Sequence, residues 1–243
     1  MPAESAVAFD RAGSGAHSFE RPWEESSLAS GRGPSALPAS PYAPGKRILD
    51  IIGAIVLAVV FSPLILAIAV LMRREEEGSI IYKHRRIGRD GRAFECLKFR
   101  TMVPNADQVL RELLERDPAI KAEWLRDHKL RCDPRVTRLG RFLRRTSLDE
   151  LPQLWNVMRG EMSLVGPRPV VREELLRYGR NVRTYLSAKP GITGLWQVKG
   201  RNDTDYRRRV VLDTYYVRNQ GLLLDLYILL KTTRVVLGGS GAY

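Results

Sequence analysis

Cysteine and histidine are scarce in this chain, and their scarcity removes several chemistries. Its 243 residues include two cysteines, Cys96 and Cys132, and three histidines, His17, His84 and His128. No set of three or four Cys and His stands at metal-ligand spacing, so neither a zinc centre nor a disulfide framework is indicated. The isolated histidines suggest no Ser/His/Asp-type constellation. Both thiols read as reduced, structural groups of a cytosol-facing domain. Internal repeats are lacking, and so are the common nucleic-acid-binding motifs. No signal peptide is expected, because the amino-terminal stretch has no apolar core and the first long apolar run comes too late. Acidic residues are the minority sign: 27 Asp and Glu face 40 Lys and Arg, a formal charge of +13. That balance points to a polyanionic partner such as an anionic membrane surface or phosphorylated substrates, with nucleic acid the weakest fit.

What is present divides the chain into three. Residues 1–45 are rich in Ala, Ser, Gly and Pro, a composition that cannot repay the entropy of ordering, and read as a disordered tail. Residues 51–72 form an apolar run interrupted by Gly53 and by the central pair Ser62-Pro63. At roughly 22 residues it is long enough to cross a bilayer as a helix. Lys46 and Arg47 precede it and Arg73 and Arg74 follow it, so the positive-inside rule sets no orientation. A bend at Ser62-Pro63 would keep both basic ends cytoplasmic, and a kinked single span fits these residues equally well. From residue 75 onward a cytoplasmic domain is expected. It opens with a hairpin, residues 80–82 and 94–99 about a Gly-Arg-Asp-Gly turn. A charged helical stretch follows over 105–130, broken at Pro118. Residues 131–145 place Arg131, Arg135, Arg138, Arg141, Arg144 and Arg145 among Val136, Leu139, Phe142 and Leu143 at helical spacing. Such a helix suits an anionic lipid surface, a phosphate pocket or a solvated face. Residues 222–237 are apolar but short for a span, and read as an interfacial or core-packing helix ended by Gly238-Gly239.

The most informative stretch is 147–169, SLDELPQLWNVMRGEMSLVGPRP. Adjacent carboxylates, Asp149 and Glu150, can divide a nucleophilic and a metal-binding task, and the arginines before them can hold phosphate. Ser147 with Glu150 three residues on also fits a helix capping box, which carries no chemistry.

Several separated motifs together resemble one family, the bacterial monotopic polyprenyl-phosphate glycosyl-1-phosphate transferases. They are Lys46-Arg47 with Asp50, Ser62-Pro63, residues 98–102 (KFRTM), 147–153, 166–169, 190–194 and Gly200-Arg201-Asn202, in family order. The closing Gly-Ala-Tyr is similar to the ExoY-type exopolysaccharide branch. The tail and the charged segment between Pro104 and Arg131 depart from the smallest members.

The resemblance implies a mixed α/β, mainly helical fold. It has a Pro-kinked re-entrant membrane helix over 46–74, with its break at Ser62 and Pro63, and a catalytic domain over 75–243 with a small sheet and interfacial amphipathic helices. It also implies the chemistry. Asp149 attacks the β-phosphorus of a UDP-sugar, UMP leaves, and a polyprenyl phosphate such as undecaprenyl phosphate takes the phospho-sugar. Glu150 would hold Mg2+; Lys98, Arg144, Arg168 and Arg201 would hold substrate phosphates. The expected setting is the cytoplasmic face of a bacterial inner membrane, among anionic lipids, with downstream glycosyltransferases and a second copy of the chain as further partners. The sugar, galactose or glucose first, is not fixed by sequence. A polyprenyl-diphosphate phosphatase and a non-enzymatic basic membrane adaptor are the competing readings.

Overall fold

The computed structural model describes residues 42–75, 78–127, 130, 132–199 and 205–237. Almost all of the expected tail, together with Arg201 and the closing Gly-Ala-Tyr, lies outside the described residues.

The first element is a single α-helix, α1 (Ala43–Glu75), with Pro63 inside it. Proline has no N–H to give, which frees the carbonyl four residues earlier. The Ser62 hydroxyl donates to that carbonyl, Val59 O, at 2.7 Å. At 1.5 Å per residue the helix runs about 50 Å, and it passes as one apolar segment long enough to cross a membrane.

Both halves of α1 pack on the same domain. Near its start, Lys46 Nζ pairs with Asp225 at 2.5 Å, and Arg47 donates to Val157 O and Met158 O at 2.6 and 2.9 Å. Asp50, buried, accepts from Ser163 Oγ and Leu164 N, each at 2.9 Å. Ala54 joins the main core with Leu154, Val157, Leu164 and Ile228. In the second half, Ile68 and Met72 form a smaller core with Phe99 and Leu143. The opposite face is bare: Ile52, Val59, Val60 and Leu66 are each more than half exposed.

The hairpin is where alternation and turn chemistry place it. Strands β1 (Ile81–Ile87) and β2 (Ala93–Phe99) pair antiparallel, from Ile81 opposite Phe99 to Ile87 opposite Ala93. Asp90 and Gly91, at φ of 57° and 75°, turn the chain between them. The charged stretch forms α2 (Ala106–Arg116) and α3 (Pro118–Asp127). The break follows from Asp117, whose carboxylate caps Ala119 N and Ile120 N at 2.8 and 3.2 Å while Pro118 opens the new helix.

The arginine-dense run departs from expectation. Only α4 (Arg138–Thr146) is helical, capped by Thr137, whose side chain accepts from Gly140 N. The residues ahead of it turn. There Arg135 is buried rather than on a surface, held by Asp133 at 2.7 and 2.8 Å and stacked on Trp124. Pro134 and the Thr137 cap set the later start.

After α4 come a 3-10 turn (Leu148–Glu150), α5 (Gln153–Arg159), β3 (Ser163–Val165), α6 (Arg172–Leu175), a second 3-10 segment (Leu176–Asn181), α7 (Val182–Leu186) and β4 (Gly191–Thr193). The chain ends with α8 (Leu195–Lys199), α9 (Tyr206–Arg218) and α10 (Leu222–Leu237). Strands β3 and β4 pair in parallel, Ser163 opposite Gly191. The fold is therefore mainly helical with small sheet elements. Helix α10 is a core-packing helix on one side, with Ile228 and Asp225 fully buried, while Leu223 and Leu230 face outward.

Candidate active site

The site forms where α4 ends. Gly140 packs against the chain leaving β2; a Cβ there would sit 2.1 Å from Thr101 O, so only glycine permits the approach. That contact brings Arg144, one turn later, to Thr101, and Arg144 Nε donates to Thr101 Oγ1 at 2.8 Å. Ser147 then adopts the left-handed conformation, φ 58°, and ends α4. Its side chain makes no cap hydrogen bond. The capping-box explanation of Ser147 and Glu150 is therefore not realised, and the two carboxylates are free for another use.

Asp149 is buried and Glu150 partly so. Lys98, from β2, reaches both: Nζ lies 2.7 Å from Glu150 Oε1 and 3.7 Å from Asp149 Oδ2. Burial opposes the charge on Lys98, and the two carboxylates outweigh it, so its ammonium is held more firmly than usual. Burial also opposes ionisation of Glu150, but Lys98, Arg168 and a hydrogen bond from Gln153 hold its carboxyl below the ordinary range. Asp149 goes the other way. Burial first, then the neighbouring Glu150, push it up to about 6 against the pull of Lys98 and Arg144. Adjacent acids thus differ in character, one firmly ionised and one poised near neutrality.

Arg168 enters from the Gly-Pro-Arg-Pro turn, which is clamped on every side. Gly166 abuts Lys189 O and Gly191 N. Arg86 donates to Pro169 O at 3.3 Å, and Ile87 N to Val170 O at 2.9 Å. The Tyr185 hydroxyl lies 2.9 Å from Arg168 O and accepts from Val170 N. Asp213, buried and itself raised to about 7 by that burial, accepts from Tyr178 OH at 2.8 Å and more distantly from Arg168 N. The Arg168 guanidinium stacks on Trp196, as does that of Arg209. Arg168 Nε is buried and has no hydrogen-bond partner among the described residues. An unpaired buried donor of a cation invites an anion.

Among the described residues no group of three His, Cys, Asp or Glu side chains could hold a metal. The donor set is two adjacent carboxylates. That suits Mg2+, which takes one or two carboxylates and fills its remaining positions from substrate phosphate and water.

A model of the bacterial sugar transferases matches residues 42–239. The chain belongs to the bacterial sugar transferase family. It is similar to the UDP-galactose-lipid carrier transferase of Erwinia amylovora, 56% identical over 82% of this chain and 41% of that protein. The undecaprenyl-phosphate galactose phosphotransferase of Salmonella typhimurium is 54% identical over 82% of this chain and 41% of its own length. The exopolysaccharide production protein ExoY of Sinorhizobium fredii is 52% identical over 82% of this chain and 88% of its own length. The chain thus spans about two fifths of the first two relatives and most of ExoY.

In this bacterial sugar transferase, Lys98, Arg144, Asp149, Glu150 and Arg168 converge, while Arg201 lies outside the described residues. Ser62 and Pro63 lie well along α1 and act on its backbone. Sequence reasoning placed Thr101 and Gln153 in motifs but gave them no role, and missed Trp196, Arg209 and Asp213; all five hold or flank the site. It also missed Tyr82, opposite Lys98 in the hairpin and 5.8 Å, ring to ring, from His84. The pairing alternation of β1 with β2 could have found Tyr82. Nothing local signals Asp213.

Proposed function

We propose that this chain moves a sugar-1-phosphate from a UDP-sugar, with galactose first and glucose second, onto a polyprenyl phosphate such as undecaprenyl phosphate. This would be the first membrane step of exopolysaccharide synthesis, feeding downstream glycosyltransferases. The observation that carries it is the pair Asp149 and Glu150 held by Lys98 between Arg144 and Arg168. Relatives named for galactose phosphate transfer to undecaprenyl phosphate and for transfer to a lipid carrier support the substrates.

An Asp149 carboxylate oxygen forms a bond to the β-phosphorus, and the bond from that phosphorus to the bridging oxygen breaks, releasing UMP. A phosphate oxygen of the polyprenyl carrier then attacks the same phosphorus and returns the carboxylate. The covalent route replaces one encounter of two anions by two displacements. Arg144 and Arg168 offset the phosphate charge, and the rigid turn keeps Arg168 in place before substrate arrives. Glu150 would hold Mg2+, which neutralises charge on the diphosphate.

The site belongs at an interface, because the donor is soluble and the carrier is not. Contact of both halves of α1 with one domain supports a helix that does not carry its ends to opposite sides of a bilayer. The reading is therefore a re-entrant helix bent about Ser62-Pro63, on the cytoplasmic face of a bacterial inner membrane, with Arg138, Arg141 and Arg145 toward anionic lipid. The test is nucleotide release by purified chain in nanodiscs with Mg2+, undecaprenyl phosphate and single UDP-sugars. UMP release with one sugar, lost in Asp149→Asn, is expected. Release of UDP, or of inorganic phosphate from a polyprenyl diphosphate, would overturn the reading.

A further inference from the structure

A second concentration of positive charge lies near the start of α1 and shares no side chain with the carboxylate site. Gly160, at φ +85°, ends α5 and faces two cationic side chains. A methyl group there would lie 3.3 Å from an Arg47 guanidinium nitrogen and 3.6 Å from Lys189 Nζ. Two cationic nitrogens therefore converge on one point.

Each is there for a different reason. Arg47 donates to Val157 O and Met158 O, carbonyls at the carboxyl end of α5, and so answers the helix's negative end. A guanidinium carries five N–H donors, so it keeps some to spare. Lys189 is half-buried, and no hydrogen bond or ion pair engages its ammonium among the described residues. Burial first, then Arg47, lower its hold on the proton, and Arg89 adds a third cation. Asp50 opposes them, and that carboxylate is already engaged by Ser163 and Leu164. A half-buried ammonium beside a guanidinium, without a counter-charge of its own, is completed by an anion.

The height of the site on the molecule selects the anion. Arg47 stands four residues ahead of the apolar run that starts at Ile51. Ile48 and Ile52, which follow it on the same helix, are 60% and 58% exposed. Bilayer hydrocarbon covering those isoleucines puts Arg47 and Lys189 at the level of the headgroups.

We propose that Lys189 and Arg47, converging over Gly160, bind the phosphate of an anionic glycerophospholipid at the membrane surface. The proposal rests on the membrane reading of α1 given above.

The test uses the full chain in neutral detergent, with bound lipid counted by native mass spectrometry. Separate arms offer dioleoyl phosphatidylglycerol, dioleoyl phosphatidylcholine, undecaprenyl phosphate and inorganic phosphate. Wild type is expected to retain one phosphatidylglycerol in preference to phosphatidylcholine. Lys189→Gln should weaken that retention about tenfold, the scale of one charge-assisted contact, and Lys189→Arg should restore it. Equal retention by wild type and Lys189→Gln would overturn the proposal. So would saturation by inorganic phosphate at low millimolar concentration, which assigns the site to a free anion. A Lys189→Gln chain that loses undecaprenyl phosphate but keeps phosphatidylglycerol would overturn it too, by assigning the site to the carrier. Flotation with phosphatidylglycerol vesicles separates the two readings. A wild type that fails to float removes the membrane setting as well, whereas one that floats with lipid counts indifferent to Lys189 removes only this site.

Discussion

Asp149 holds the site's central tension. Its carboxyl is pushed up to about 6 by burial and by Glu150, and nucleophilic attack needs the ionised form. Transfer should therefore rise with pH through about 6 and level off above it, measured as UMP release under saturating donor. Stability runs the opposite way. With a folded pKa above the unfolded value, the contribution is fully present below about 4 and is lost as pH rises through about 6. Asp149→Asn should thus abolish UMP release, by roughly 10³-fold or more. It should also raise the melting temperature at pH 8 by about 6–12 °C, since two units of pKa correspond to roughly 3 kcal/mol. A mutant that loses activity and melts lower would mean the carboxylate is structural. The carboxylate pair was legible in the sequence because neighbouring acids between an arginine run and a Gly-Pro-Arg-Pro turn are conspicuous. Its rival explanation, a cap, is settled only by the backbone: Ser147 turns left-handed and offers its side chain to no N–H.

Among elements, those written in local pattern were readable and those defined by a distant partner were not. The hairpin follows from alternation about a Gly-rich turn, and the break at Pro118 follows from an Asp-Pro start signal. The arginine run misleads because its helical spacing continues through Pro134, whereas α4 begins only at Arg138. Arg135 accordingly leaves the expected surface for a buried pair with Asp133. Gly140 looks unremarkable in sequence and proves to set the distance between α4 and Thr101. Gly140→Ala should push the two apart, costing about 1–3 kcal/mol in urea denaturation. It should lower transfer more than stability alone explains, because Arg144 loses its seat on Thr101. Unchanged kinetics in a destabilised Gly140→Ala would separate the contact from the chemistry.

On the scale of the whole molecule, α1 is held by charges far apart in the chain. Lys46 meets Asp225, and Tyr216 OH donates to the same carboxylate at 2.7 Å. Removing one side of a buried ion pair leaves the other uncompensated, so Lys46→Met should cost about 3–5 kcal/mol. Limited proteolysis should then release α1 from the domain at temperatures the wild type withstands; equal resistance would make the pair incidental. Orientation is checked with single cysteines in a Cys132→Ser background, because Cys132 is exposed. Gly45→Cys and Arg74→Cys should both react with an impermeant reagent from the same side of a sealed vesicle. Reaction from opposite sides would make α1 a plain span. The Lys46–Asp225 pair also imposes a timetable on biosynthesis. The two residues are separated by 179 positions, and a ribosome adding 5–20 residues per second needs about 10–40 s to make the second after the first. Throughout that interval the apolar helix has been made and its partner has not, so the nascent chain must rely on the lipid, or on a chaperone, to shelter α1 until α10 arrives.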